Sequence, residues 1–264
     1  MLYALDLFSG IAGNTIGLSD YVRTVAYCEA DRHAQAVLIS RMADGSIPAA
    51  PICTDVTRMD GYAFRGKVDI VIAGFPCQDI SVAGKGAGLE GERSGLFFEV
   101  VRLAKEIQPT FLFLENVPAI RTRGLDTVIQ ELTEAGYDCR WTMLSAADVG
   151  APHKRERWFL LANSLCDGFS SSQIGQSIES SNDRDSPRAD WSAFFERRQE
   201  ALWSEQPTDS KHRHNNWAVE PNVGRVVNGV PQRVDRLKRL GNAVVPLQAK
   251  TAFEILMGLE VSDV

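Results

Sequence analysis

The sequence predicts a doubly wound α/β fold carrying a small insertion, and three observations lead to it. From Leu2 to Leu165 short apolar runs alternate with helix-like amphipathic segments, the pattern of a largely parallel sheet covered by helices. The chain has 264 residues, 44% of them hydrophobic and 23% charged, which suits one large α/β domain with an insertion better than two equal domains. After Asn163 the composition changes: residues 164–188 are rich in Ser, Asp, Asn and Gln and lose the apolar period, which puts a domain boundary there.

Taken in order, the strands are expected at Tyr3–Leu7, Arg23–Cys28, Asp69–Ala73, Phe111–Glu115, Asp138–Ser145 and Arg157–Ala162, each a short apolar run. Leu96–Ile107 and Leu125–Ala135 repeat apolar residues at helical spacing, and Leu247–Leu259 reads as a helix begun after Pro246 and ended near Gly258. Between the boundary and that last helix, Trp191, Phe194, Phe195, Trp203 and Trp217 supply a small core or scattered packing anchors. Arg225, Arg233, Arg236, Lys238 and Arg239 then face only Asp235, a local basic excess.

The net charge of −6 argues against a protein that coats nucleic acid by bulk positive charge. No run of about 18 apolar residues is present to span a bilayer, and the amino terminus lacks a signal-peptide layout, so a cytoplasmic protein without a membrane partner is expected. The five cysteines (Cys28, Cys53, Cys77, Cys139, Cys166) are odd in number and contain no C-x-x-C pair, so neither a disulfide framework nor a metal site is expected and at least one thiol is free.

In a doubly wound sheet, ligands sit beyond the carboxyl ends of the strands. The first strand runs into Asp6-Leu7-Phe8-Ser9-Gly10-Ile11-Ala12-Gly13, a turn of small residues that fits a nucleotide site or merely a tight βα turn, and that lacks the full G-x-G-x-x-G of pyrophosphate binders. About 20 residues on, the second strand ends at Cys28-Glu29-Ala30-Asp31. An acid there accepts hydrogen bonds from ribose hydroxyls, or serves as a helix N-terminal carboxylate. Asp55 follows the apolar Pro51-Ile52, where it reaches an adenine amino group. Two acids with a glycine turn and no phosphate fingerprint fit an adenosyl ligand without pyrophosphate, S-adenosyl-L-methionine being the candidate.

The next strand leads into Gly74-Phe75-Pro76-Cys77-Gln78, which puts a thiol on a proline-stiffened turn at the crevice mouth; a buried, inert cysteine is the plainer alternative. Gly84, Gly86, Gly88 and Gly91, with Lys85 and Arg93, follow as in a lid over a polyanion or a plain surface loop. Phe111–Leu114 delivers Glu115-Asn116-Val117-Pro118 to the same rim. Four apolar residues before Glu115 imply desolvation, a raised pKa and a proton donor near neutral pH. In Pro152-His153-Lys154-Arg155-Glu156-Arg157, alternation puts Arg155 and Arg157 on one strand face, suited to a phosphate or a carbonyl oxygen unless the run is simply solvated.

These residues, in this order, resemble the C5-cytosine DNA methyltransferase family of prokaryotic or phage type. The resemblance covers the Asp6–Gly13 turn, Glu29, Asp55, Gly74-Phe75-Pro76-Cys77-Gln78, Glu115-Asn116-Val117, Arg155-x-Arg157 and Leu240-Gly241-Asn242-Ala243-Val244-Val245-Pro246. It implies a Rossmann-like S-adenosylmethionine-dependent methyltransferase fold. It also implies that Cys77 adds to C6 of the target cytosine, that Glu115 holds or donates a proton at N3, and that Arg157 at O2 and Arg155 nearby offset developing charge. Because that chemistry needs one face of the ring, the base must leave the stack of double-stranded DNA. By the same resemblance Phe8, Gly10, Glu29, Ala30, Asp55, Val56, Gly74, Pro76, Leu96, Asn242 and Ala243 line the cofactor site.

The family pattern makes the fold non-contiguous: residues 1–163 and 225–264 form the catalytic domain and 164–224 a small target-recognition segment, with Arg225–Arg239 meeting phosphates. His153 stands where the family commonly has glutamine. A monomer is expected, with a cognate restriction endonuclease as a partner in the cell. Three rivals remain: a tRNA cytosine-5 methyltransferase of the same chemistry; a nicotinamide-dependent dehydrogenase, which explains the glycine turn and Glu29 but gives Cys77, Glu115 and the arginine pair no joint role; and a DNA-binding relic without turnover, against which intact Cys77 and Glu115 argue.

Overall fold

The computed structural model describes residues 1–76, 95–165 and 243–259. Seven strands form one sheet in the order β3-β2-β1-β4-β5-β7-β6: β1 Leu2–Leu7, β2 Val22–Cys28, β3 Ile52–Cys53, β4 Ile70–Ala73, β5 Phe111–Asn116, β6 Tyr137–Leu144 and β7 Arg157–Ser164. The six expected strands are all present. The two-residue β3 is the addition, too short to carry a period of its own. The ladders from β3 to β5 are parallel, whereas β7 runs antiparallel to both β5 and β6. This one reversal has a large consequence: the amino end of β7 lies beside the carboxyl end of β5.

Alternation along the central strands divides the core by face. Leu5, Leu7, Val71, Ala73, Leu112 and Leu114 point to one layer. It is closed by α3 (Gly95–Ile107) and α5 (Leu125–Glu134). In α3, Phe97, Val100, Val101, Leu103, Ala104 and Ile107 are buried, a stripe at spacings of three and four. Ala4, Ile70, Ile72, Phe113, Phe159 and Leu161 point to the other layer, against Ala249, Ala252, Phe253 and Leu256 of the last described helix, α6 (Pro246–Met257). The short helices α1 (Gly13–Gly17) and α4 (Ile120–Arg123) follow β1 and β5. Helix α2 (Arg32–Ala43) is capped by Asp31, whose carboxylate accepts the backbone N–H groups of His33 and Ala34.

The carboxyl-terminal helix returns to the first βα unit. A side chain on Gly13 would lie 2.6 Å from Cγ1 and 2.7 Å from the carbonyl oxygen of Val244. One on Gly17 would collide with the Pro246 carbonyl and stand 3.1 Å from Cβ of Ala249. Within 243–259 the chain packs against the first βα unit; Asn242 and Arg225–Arg239 lie outside the described residues, as do the segment 166–224 and the glycine-bearing stretch 77–94. Because backbone atoms of α6 cannot give way cheaply, Gly17→Ala is expected to destabilise the fold by about 1–3 kcal/mol, read as a lower urea midpoint at unchanged slope.

Among the described residues no helix is long and apolar enough to cross a membrane, and no cluster of three potential ligands is placed to hold a metal. Cys28, Cys53 and Cys139 are free thiols.

Candidate active site

The strand order reverses between β1 and β4, which opens the crevice beyond their carboxyl ends where such sheets take a ligand. Two rims face each other there. The first is the turn from β1 into α1, where Phe8, Gly10 and Ala12 have φ of 55°, 54° and 66°. For Phe8 and Ala12 this left-handed backbone is unusual and must be held from outside. Glu29, just past β2, does part of that work: Oε2 accepts the N–H of Gly10 at 2.7 Å and Oε1 the N–H of Asp31 at 2.8 Å. Arg41 of α2 donates to the carbonyl of Ile11. Beneath the turn, Thr15 donates to Oδ2 of Asp6 at 2.6 Å. Burial raises Asp6 to about 7, the Thr15 hydroxyl opposes this, and the Glu29 charge adds to it.

This rim fits an adenosyl group. Each oxygen of Glu29 has further lone pairs to accept a ribose hydroxyl while still holding the turn. Asp55, following β3, uses Oδ1 for the Thr57 N–H at 3.0 Å and hydroxyl at 2.7 Å. Those bonds hold Asp55 below the ordinary carboxylate range, an ionised acceptor beside the buried Val56. Ala30 is exposed next to Glu29, and Leu96 opens α3, half-buried against the core layer. Arg102 of α3 pins this wall by donating to the carbonyls of Val56 and Met59, both at 3.0 Å.

The second rim is made by the exits of β4 and β5 and the start of β7. Nδ2 of Asn116 donates to the Phe75 carbonyl at 3.0 Å and its Oδ1 accepts the Val117 N–H at 2.8 Å. The backbone entering Pro76 is therefore tied to the end of β5. Gly74 permits a close approach: a Cβ there would lie 3.1 Å from Oε2 of Glu115. Glu115 itself is 9% exposed and pairs across the sheet with Phe159. Arg157 shares the Phe159 face, two residues earlier, and its Nε stands 2.8 Å from Oε1 of Glu115.

Burial pushes Glu115 up to about 7, against the pull of Arg157 and then Arg155. Without the two guanidiniums the carboxyl would rise further; with them it is poised to exchange a proton near neutrality. The expectation that alternation places both arginines on one strand face is corrected. β7 begins at Arg157, and Arg155 lies before it in irregular backbone with φ of 26°. Its guanidinium donates to the carbonyl of Ala243, ahead of α6. The pair converges on Glu115 through the loop, not through strand pleat.

The structure brings Gly10 to Glu29 at the exits of β1 and β2, and Gly74 to Glu115 and Arg157 at the exits of β4 and β5, with Arg155 tied to Ala243; Phe8 lies in the first turn, Pro76 just past β4, and Asp55 and Val56 just past β3, while Cys77 and Asn242 lie outside the described residues. Sequence reasoning assigned no role to Asn116, Arg102 or Gln248. Asn116 was visible as the middle of Glu-Asn-Val, and Gln248 as a polar residue inside an apolar helical run.

A family model for the C-5 cytosine-specific DNA methylases matches residues 2–222. The chain is 40% identical over 159 residues to the Type II methyltransferase M.CviJI of Paramecium bursaria Chlorella virus IL3A, covering 60% of this chain and 42% of that protein. It is 33% identical over 162 residues to the Type II methyltransferase M.HhaI of Haemophilus parahaemolyticus, covering 60% and 47%. The matched region therefore spans about half the length of these curated relatives. Among solved structures, a protein described as a DNA modification methyltransferase encoded within an Escherichia coli prophage superposes with a TM-score of 0.51 at 26% identity, over 64% of this chain and 49% of that one. The S. pombe Dnmt2 methyltransferase shares the fold with a TM-score of 0.52 at 20% identity, over 70% and 57%. With the motifs in order on a doubly wound sheet and the family model spanning most of its length, the chain belongs to the C-5 cytosine-specific DNA methylase family.

Proposed function

We propose that the protein transfers a methyl group from S-adenosyl-L-methionine to C5 of a cytosine flipped out of double-stranded DNA. The observation that carries this reading is the buried Glu115–Arg157 pair at the crevice: a carboxyl near its titration point beside a fixed cation, facing the exit of β4 that leads into Cys77. Glu115 protonates N3 of the base, and Arg157 with Arg155 holds O2, so the ring accepts a nucleophile. The Cys77 sulfur then bonds to C6, and the displaced electron pair makes C5 electron-rich. The Phe8–Ala12 turn, Glu29, Asp55, Val56 and Ala243 would hold S-adenosyl-L-methionine, which would offer C5 an electrophilic methyl group, the broken S–CH3 bond leaving its electron pair on the sulfur of S-adenosylhomocysteine. Loss of the C5 proton to solvent, return of the N3 proton to Glu115 and departure of Cys77 with its bonding pair as thiolate restore the aromatic ring and the nucleophile.

In this reading residues 1–163 and 225–264 make the catalytic domain and 164–224 recognise the target sequence. The protein works as a monomer in the cytoplasm, where the Type II names of its relatives fit a cognate restriction endonuclease as partner. The test is covalent trapping with S-adenosyl-L-methionine and duplex DNA containing 5-fluorocytosine, because fluorine at C5 cannot leave as a proton does. A denaturation-resistant adduct lost in Cys77→Ala is the expected result. An adduct formed only on fluorinated tRNA would move the substrate to RNA, and none on either would overturn the reading.

A further inference from the structure

Helix α6 packs on the sheet through Ala249, Ala252, Phe253 and Leu256, yet its first turn buries a carboxamide: Gln248 is 0% exposed. A buried amide costs free energy unless it is hydrogen-bonded. Nε2 of Gln248 donates twice, to the carbonyl of Leu144 at 2.7 Å and to that of Arg155 at 2.9 Å. These carbonyls stand on opposite limbs of the β6–β7 connection. Leu144 closes β6 and is the register partner of Arg157, while Arg155 lies two residues before β7. One NH2 group, with one hydrogen for each limb, therefore spans the mouth of the loop that carries both arginines. Among the described residues its Oε1 has no hydrogen-bond partner, so the two donated bonds are the side chain's polar contribution there.

The loop needs such a tie. Arg155 has φ of 26°, a backbone state that a non-glycine residue holds only when its surroundings impose it. The clasp is also reciprocal: Gln248 grips the Arg155 backbone, and the Arg155 side chain grips the Ala243 carbonyl ahead of the same helix. Few residues can do this. Leucine or methionine fills the space without donors, ionised glutamate offers only acceptors, and lysine or arginine would bury a charge among carbonyls.

We infer that Gln248 is a positioning residue for the arginine pair, its carboxamide setting the distance at which Arg155 and Arg157 stand from Glu115. The inference rests on the proposed role of Glu115 and the arginines at the base, and it links the carboxyl-terminal helix to that end of the site.

The test uses the full chain and the variants Gln248→Met, which keeps the volume and removes both donors, and Gln248→Glu, which keeps the shape. The titration of the Glu115 carboxyl is followed by 13C NMR of labelled glutamate, assigned by its loss in Glu115→Gln, alongside methylation kinetics and melting. Expected for Gln248→Met is an upward move of the Glu115 midpoint by about one pH unit, since the cations opposing its rise have withdrawn. kcat is expected to fall about 10- to 100-fold, with KM for S-adenosyl-L-methionine within about twofold. Gln248→Glu should move the midpoint in the same direction, and it carries the test if the methionine variant does not fold. Lower melting with an unmoved Glu115 midpoint and unchanged kcat would make Gln248 a filler of space and overturn the inference. If the midpoint moves but even the wild type methylates no cytosine, the functional reading fails and the positioning stands; methylation with an unmoved midpoint gives the reverse.

Discussion

Replacing Glu115 by glutamine is expected to lower kcat for cytosine methylation by about 10²- to 10⁴-fold while duplex binding stays within about threefold. The carboxamide fills the same space between Gly74 and Arg157 and still offers an N–H toward N3. It cannot hand over a proton, so the positive charge that makes C6 electrophilic never develops. In the wild type, burial places the Glu115 midpoint at about 7, and the protonated form is the productive one. Its rate should therefore fall as pH rises through about 7, and the residual rate of the glutamine variant should lack that limb. A variant that kept near-normal turnover would remove Glu115 from the chemistry.

The same residue links pH to stability, with a sign opposite to that of most surface carboxylates. A carboxyl whose folded pKa lies above its unfolded value binds its proton more tightly in the native state, so ionisation favours unfolding. For Glu115 that loss begins above about 4.5 and is complete above about 7, and for the buried Asp6 it runs from about 3.8 to about 7. Stability is accordingly expected to decline between pH 5 and 8. Glu115→Gln should flatten the decline by up to about 3 kcal/mol and Asp6→Asn should remove a further part. The site thus keeps two carboxyls that weaken the fold at neutral pH; one stands at the base, the other beneath the cofactor turn.

How legible the site was depends on which interactions are local in sequence. Strand positions came directly from apolar runs, and Glu115 declared itself because four apolar residues lead into it. The Asp31 cap of α2 is equally local, acting on the next few residues, although the sequence reading assigned Asp31 no such role. The arginines were readable as a pair but not in their geometry. Alternation presumes a strand, and β7 starts only at Arg157, because the loop before it is bent by a left-handed Arg155 that Gln248 holds across 93 positions of sequence. The antiparallel sense of β7, which brings Arg157 to Glu115, is likewise a property of chain path. Asn116 shows the intermediate case: its neighbourhood was marked by the motif, but its bond to Phe75 exists only once β4 and β5 lie side by side.

Cys77→Ser is expected to reduce methyl transfer by about 10³-fold or more while cofactor and DNA binding persist. Addition to C6 needs a nucleophile that is substantially ionised near neutral pH and polarizable enough to attack a weakly activated ring. A thiol meets that demand with an ordinary pKa near about 8.5, and a hydroxyl does not without a strong base at hand. Two of the three described thiols are poor substitutes: burial pushes both Cys28 and Cys139 up to about 12, which keeps them protonated. The serine variant should bind 5-fluorocytosine duplex yet form no denaturation-resistant adduct. The Glu115→Gln variant should form it slowly, because its nucleophile is intact and only the activation of the ring is impaired. The two substitutions therefore separate attack from activation, and an adduct of undiminished yield in Cys77→Ser would require a different nucleophile.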